Sequence, residues 1–400
     1  MAAIAQSNPY SILSRKIGYS VGLEFLLRNV TALVALYSEK KRLSITDWRA
    51  MVERDFGRKG PAYEHMANFF STINLIKLIG NEVHPLFGLE VLSILRRYLK
   101  VDEAYNRALR VVLSQFLIEA DGDIFLNALE ASFEREGTRK RISSMVSTKW
   151  TALRRAFVNP AIQDRIWELV SIRSQPSTQN QGDESPRHAS PFAKRTKPLS
   201  AAMRRPEPSA NKYVVDVQDS YLDKILPTRK KWAEDLGYFD GSGISKPGFL
   251  LLERLSALGM KTENGAMVFW PYTHDLAPLR IDHHALLAVP IENWAVLSGI
   301  AIAHGATFLD DITFEDELLD LMRKVYELYR SGSEARGSIR HQVPIYVMKP
   351  AIVGILVGEQ RPIPSLPQFI DAEIRGTSRR FDFTNVRGTE GALVFREGPK

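Results

Sequence analysis

Positive charge is the chemistry this chain offers most densely. Between Arg135 and Arg205 stand 15 Lys/Arg against 5 Asp/Glu, an excess of +10, whereas the whole 400-residue chain carries +7. The remainder therefore sums to −3. A basic excess gathered into one segment favours a polyanionic partner. A solvated face with a solubilising linker has the same composition, and both readings stand at this level. The candidates for nucleic-acid contact are Arg139, Lys140, Arg141, Lys149, Arg154 and Arg155, followed by Lys194, Arg195, Lys197, Arg204 and Arg205. Their cations neutralise phosphates, and the interspersed Ser144, Ser147 and Thr151 bring hydroxyls that bond phosphates or base edges.

Catalytic chemistry is thinner. There is no cysteine, which excludes thiolate zinc sites, disulfides and a thiol nucleophile. No P-loop, dinucleotide fingerprint, G-x-S-x-G elbow or H-E-x-x-H occurs. His274, Asp282, His283 and His284 form the densest metal-like group, but adjacent His side chains diverge and no known ligand spacing is present, so a polar loop is the simpler reading. Asp310, Asp311, Glu315, Asp316 and Glu317 bear the oxygen ligands that Mg²⁺ takes. At the start of a helix the same acids complement its dipole. Arg336, Arg340, His341, Arg375, Arg379, Arg380 and Arg387 read either as a phosphate surface or as ordinary arginines balancing those acids. The expectation is a non-enzymatic protein with no cofactor and no metal.

The basic residues need an element to present them. Thr138–Val158 is predicted as a helix closed by Asn159-Pro160, with Ile142, Met145, Val146, Trp150, Leu153 and Phe157 recurring near helical spacing. Upstream, Glu103–Ile118 reads as an amphipathic helix, Asp121-Gly-Asp123 as a turn and cap, and Ile124–Phe133 as a short helix. Downstream, Pro, Ser and Gln dominate Ser174–Lys212, where large apolar residues are scarce, so a disordered basic linker is expected.

Nearer the N-terminus, Val21–Tyr37 is predicted as a helix with Leu23, Leu26, Leu27, Val30, Leu33, Val34 and Tyr37 on one face, and Ser44-Ile-Thr-Asp47 caps a second that runs to Phe56. Pro61 opens a third, to about Ile73. Leu75–Ile79 and Glu82–Leu86 then flank Gly80-Asn81 as a hairpin. Over about residues 20–90 this order resembles a winged helix-turn-helix. The resemblance implies a third helix in the DNA major groove. Here that helix offers Tyr63, Glu64, His65, Asn68 and Thr72, with only Arg58 and Lys59 at its start, so protein contact and DNA contact both stay open.

In the C-terminal half, a short helix over Arg229–Leu236, one from Ser245 to Leu258 ended by Gly259, and a strand over Ala266–Trp270 are compatible with a second winged unit. Helices over Ile291–His304 and Phe314–Tyr329 follow, the latter striped by Leu318, Leu319, Met322, Val325, Tyr326 and Tyr329. Pro362, Pro364 and Pro367 suggest an extended surface crossing, and Phe381–Phe383 with Ala392–Phe395 a strand pair.

The expected fold is mainly α with short β-hairpins (α+β): tandem winged-helix-like units, a basic linker and a mostly helical C-terminal domain. The expected boundaries are a winged-helix-like domain at 10–100, a helical basic domain at 101–173, the linker at 174–212 and an α+β domain at 213–400. No signal peptide and no spanning helix is read from the sequence, and a cytoplasmic location is expected. The functional expectation is a nucleic-acid-binding subunit, DNA favoured over RNA, with protein partners in a larger prokaryotic-type complex such as genome maintenance, mobile-element control or antiviral defence. The alternatives are a scaffold binding an acidic protein and a metal-dependent nuclease-like enzyme with its site in 213–400.

Overall fold

A computed structural model describes residues 25–39, 43–57, 62–156, 219–269, 293–309, 315–335, 342–365, 381–384 and 392–395. The chain is mainly α with short β-strands. Its elements, in order, are α1 (Leu26–Glu39), β1 (Leu43–Ser44), α2 (Ile45–Phe56), α3 (Ala62–Thr72), β2 (Ile76–Ile79), β3 (Glu82–Pro85), α4 (Phe87–Tyr98), α5 (Asp102–Glu130), α6 (Arg135–Ala156), α7 (Asp219–Leu236), α8 (Lys246–Leu255), α9 (Asn293–Ala303), β4 (Phe308–Leu309), α10 (Glu315–Ala335), β5 (Gln342–Pro344), α11 (Ile345–Gly358), β6 (Ile363–Pro364), β7 (Phe381–Thr384) and β8 (Ala392–Phe395). They fall into two compact units. Among the described residues, the larger is drawn from 25–117, 231–251 and 293–395, the smaller from 118–156, 219–230 and 252–269.

In the larger unit, α1 buries Leu26, Val30, Leu33, Val34 and Tyr37 of the expected stripe, while Leu27 is half-buried and Leu23 lies outside the described residues. Its first turn is capped from afar: the Leu27 N–H donates to Asp235 Oδ2 at 3.3 Å. Ser44 and Asp47 form the anticipated capping box on α2. Trp48 of α2 is buried, donates through Nε1 to the Tyr63 carbonyl at 3.0 Å and meets Phe70 edge-on, which fixes α3 against α2. Strands β1, β3 and β2 lie in that order as an antiparallel sheet, with Ile79 opposite Glu82 across the two-residue loop. Gly80 opens that loop at φ +58°, where this kind of turn requires glycine.

Helix α11 is apolar on every side, so nearly all of it is buried. It packs on α4, α10 and α9. Gly354 and Gly358 let it approach α4 closely: a Cβ at Gly358 would stand 2.7 Å from Leu99 Cδ1 and 2.9 Å from the Ala104 carbonyl oxygen. Arg107 donates to the Gly358 carbonyl at 2.7 Å, placing a cation on the negative end of the helix. The six-residue stripe expected on α10 is buried throughout. β7 and β8 pair as expected, and β5 joins them in the order β5-β8-β7. The expected surface crossing at Pro362–Pro364 is instead a buried strand, β6, paired in parallel with β4, because Ile363 carries apolar surface into the core.

In the smaller unit, Asp121-Gly-Asp123 makes neither turn nor cap. α5 runs unbroken for 29 residues through it. Asp121 and Arg229 are both fully buried and form a two-pronged ion pair at 2.7 and 3.0 Å. Asp123 accepts the Phe269 N–H at 2.8 Å. One turn on, Asn127 donates to the Met267 carbonyl (2.7 Å) and accepts the Met267 N–H (2.9 Å). Glu130 pairs with Lys261 at 2.7 Å. Asp123, Asn127 and Glu130 therefore form a polar seam along one face of α5, docking the segment 261–269, while Asp121 lies on the opposite side with Arg229 of α7. That segment holds one bridge, Lys261 to Met267, in place of the strand expected at 266–270. α7 begins ten residues before the expected Arg229 and continues past Pro227.

Candidate nucleic-acid interface

Helix α6 begins at Arg135, three residues before the expected Thr138, with the Thr138 N–H donating to the Glu134 carbonyl at 2.9 Å, so Gly137 lies inside it. It carries seven Lys/Arg and a single acid, Glu136. Thr138, Ile142 and Met145, at i, i+4 and i+7, are buried. Lys140 is open to solvent and bonds Glu136 one turn earlier at 2.8 Å, which raises the Lys140 pKa and lowers that of Glu136. Arg139 is half-buried.

Arg141 differs from its neighbours. Its guanidinium donates to the Gly265 carbonyl and stands 3.8 Å from Glu130, with 27% of the side chain exposed. It ties α6 to the segment that the polar seam also holds. The α6 backbone continues through positions 149, 154 and 155. The side chains of Lys149, Arg154 and Arg155 lie outside the described residues, as do Lys194, Arg195, Lys197, Arg204 and Arg205.

The third helix of the N-terminal bundle, α3, holds no Lys or Arg. Tyr63 is held by Arg49, which stacks on its ring at 4.4 Å and donates to its hydroxyl at 2.9 Å. His65 and Asn68 are the exposed positions of α3, and Lys77 and Ile79 those of strand β2, where Ile79 is 52% exposed.

His274, Asp282, His283, His284, Asp310 and Asp311 lie outside the described residues, as do Arg336, Arg340, His341, Arg375, Arg379, Arg380 and Arg387. Among the described residues no three His, Asp or Glu side chains gather as a metal site, and no helix is long and apolar enough to cross a membrane.

The sequence reading passed over a buried polar chain in the larger unit. Ser114 Oγ donates to the Arg110 carbonyl at 2.7 Å and accepts the Tyr238 hydroxyl at 2.8 Å. With both hydroxyl protons committed, His304 Nε2, 3.1 Å from the Tyr238 oxygen, must be the donor. Burial, aided by the Arg110 charge, pushes His304 down to about 4 and raises Tyr238 above the usual tyrosine range. The cluster is a neutral, satisfied tie between distant segments. The three residues sit 66 and 124 positions apart, a spacing that carries no local signal. No family model, curated protein or solved structure matches the chain.

Proposed function

We propose that the chain is a non-catalytic nucleic-acid-binding subunit, with DNA favoured, in which α6 makes the backbone contacts. The observation that carries this reading is a helix with seven cations and one packed face, of which Arg135 is paired with Asp223 and Arg141 with the Gly265 carbonyl. At about 100° per residue, positions 139, 140, 154 and 155 fall on the side of α6 away from 138, 142 and 145. Phosphate neutralisation by such a face supplies most of the affinity for a nucleic acid.

The order α1-β1-α2-α3-β2-β3 with sheet order β1-β3-β2 supports a winged helix-turn-helix over residues 26–85. Its α3 lacks the cations that a groove-reading helix uses, and an isoleucine stands exposed beside its wing loop. That favours a protein-facing role for this element within a larger complex.

The test is binding of the purified protein to duplex DNA, single-stranded DNA and RNA across a salt series. The comparison variant carries Arg139, Lys140, Arg154 and Arg155 changed to Ala, and keeps Arg141 because its guanidinium holds Gly265. The salt slope of duplex binding should fall by about 3–4 in the variant, near one unit per lost phosphate contact. Wild-type protein that binds none of the three at about 50 mM salt would rule the reading out and leave the acidic-protein scaffold.

A further inference from the structure

The smaller unit contains an open pocket of about 350 Å³ between the end of α5, the start of α6 and the first part of α7. That volume is at the low end of pockets that hold small organic ligands, roughly 300–1,000 Å³. Leu222 and Leu226 form its apolar floor, and the Phe133 and Pro227 rings supply flat apolar surfaces. Arg135 and Lys230 bring two cations to its lining, with Asp223 paired to Arg135. Pro227 has no N–H to give the Asp223 carbonyl four residues earlier, so this helical acceptor lacks its usual donor at the pocket wall.

The backbone that delivers the aromatic ring is strained. Ser132 and Phe133 have φ of +51° and +61°, a conformation uncommon for any residue but glycine and an outlier for one as bulky as Phe. The cap that ends α5 holds it, through the Ser132 N–H to the Leu129 carbonyl and the Phe133 N–H to the Ala128 carbonyl, and so fixes the ring at the pocket.

Flat apolar surfaces, cations and a carbonyl acceptor are the groups that hold one unstacked nucleotide: ring against base, cation against phosphate, carbonyl against a base N–H. We infer that this pocket receives a single nucleotide of an unpaired strand, an inference that rests on the nucleic-acid reading above and specifies strandedness within it. A duplex keeps its bases stacked and offers the pocket none at its interior positions, so α6 would engage any backbone while the pocket selects single strands or frayed ends.

The experiment measures fluorescence anisotropy of labelled (dT)8 and of a blunt duplex at about 50 mM salt, with thymidine monophosphate followed separately by NMR. The variants are Phe133→Leu, which keeps apolar bulk without the ring face, and Lys230→Gln. Circular dichroism confirms that each folds, and the second variant carries the test if the first does not. The expected result is that (dT)8 binding weakens about tenfold in each, one lost stacking or phosphate contact, with duplex binding unchanged. Thymidine monophosphate should perturb wild-type resonances and not those of the variants. Equal losses on both polymers, or none on either, would overturn the pocket. Steep salt-dependent binding by wild type with no mononucleotide contact would overturn the pocket and leave the α6 reading standing. Mononucleotide binding without polymer binding would overturn both the α6 reading and the assignment to an unpaired strand, leaving a pocket for a free nucleotide, and absence of both would remove both.

Discussion

The two units solve the same packing problem with opposite chemistry. In the larger, α11 meets α4 through leucines and glycines at Leu95, Leu99, Gly354 and Gly358, with a polar bond from Arg107 to the Gly358 carbonyl at the helix end. In the smaller, α5 holds its neighbours by Asp121, Asp123, Asn127 and Glu130, each bonded to a partner distant in sequence. An apolar contact tolerates small adjustments and needs only volume to match. A buried polar contact is all or nothing, because a lost partner leaves its mate desolvated and unsatisfied.

The largest expected effect follows from that asymmetry. Arg229→Met leaves the Asp121 carboxylate buried without its partner and is expected to cost about 3–5 kcal/mol in urea unfolding. The double variant Asp121→Leu/Arg229→Met removes both charges at similar volume and should return to within about 1 kcal/mol of wild type, or above it. A double variant as unstable as the single would mean that the pair contributes net stability through its hydrogen bonds to the surroundings, and the contrast between the units would fail.

The larger unit also has a buried polar tie that titrates, and pH probes it. His304 is held neutral with its pKa pushed down to about 4, against about 6.5 in an unfolded chain. Between those values the unfolded state binds the extra proton, so stability falls as pH falls. The contribution is complete above about pH 6.5 and lost progressively as pH falls through about 4, on the order of 3 kcal/mol in all. His304→Gln keeps a donor for Tyr238 without titrating. It should lose correspondingly less stability than wild type over that interval, and parallel pH curves for the two proteins would refute the assignment.

The apolar seams were legible in the sequence and the polar ones were not. The stripes on α1 and α10 are periodic, and periodicity is a local signal. The capping box at Ser44 and the Gly80-Asn81 hairpin are local too. Asp121-Gly-Asp123 reads as a turn because those residues usually compete with a helix for backbone bonds. In α5 their carboxylates are committed elsewhere, to Arg229 and to Phe269, and tertiary context wins over propensity. At the candidate interface, spacing named the cations of α6 but could not separate Arg141, bound to Gly265, from Lys140, open to solvent. The pocket lining comes from Phe133, Arg135 and five residues between 222 and 230, too far apart to be read together from the sequence.

Glycine substitutions sharpen the contrast at smaller magnitude. In the larger unit, Gly358→Ala drives a Cβ towards a backbone carbonyl that cannot move aside, an overpacking expected to cost about 1–3 kcal/mol. In the smaller unit, a Cβ at Gly122 would meet Ile118 Cγ2 at 3.2 Å and Phe269 Cγ at 3.4 Å, both side-chain atoms. Mid-helix alanine is favoured over glycine by roughly 1 kcal/mol, which offsets the contact. Gly122→Ala should therefore lie within about 1 kcal/mol of wild type. An equal loss at both sites in thermal unfolding would show that the polar seam is packed as tightly as the apolar one.

The smallest effect lies in how both units end their helices. In the larger unit, the ends of α7 and α9 close with Gly237 and Gly305 at positive φ, each followed by paired bonds back to the last turn, as in Gly305 N–H to the Ile302 carbonyl and Ala306 N–H to the Ala301 carbonyl. α5 closes in the smaller unit by the same pairing, Ser132 N–H to Leu129 and Phe133 N–H to Ala128, with serine in the glycine position. A left-handed residue with a Cβ costs about 1–2 kcal/mol, of which the greater chain entropy of unfolded glycine returns roughly 0.4–1. Ser132→Gly is thus expected to stabilise the protein by up to about 1 kcal/mol, read as a shift in urea midpoint at unchanged slope. Because Phe133 would keep its own positive φ and its place on the pocket, nucleotide binding should be untouched. A stabilised variant that also loses (dT)8 affinity would mean instead that strain at Ser132 holds the ring in place for its ligand.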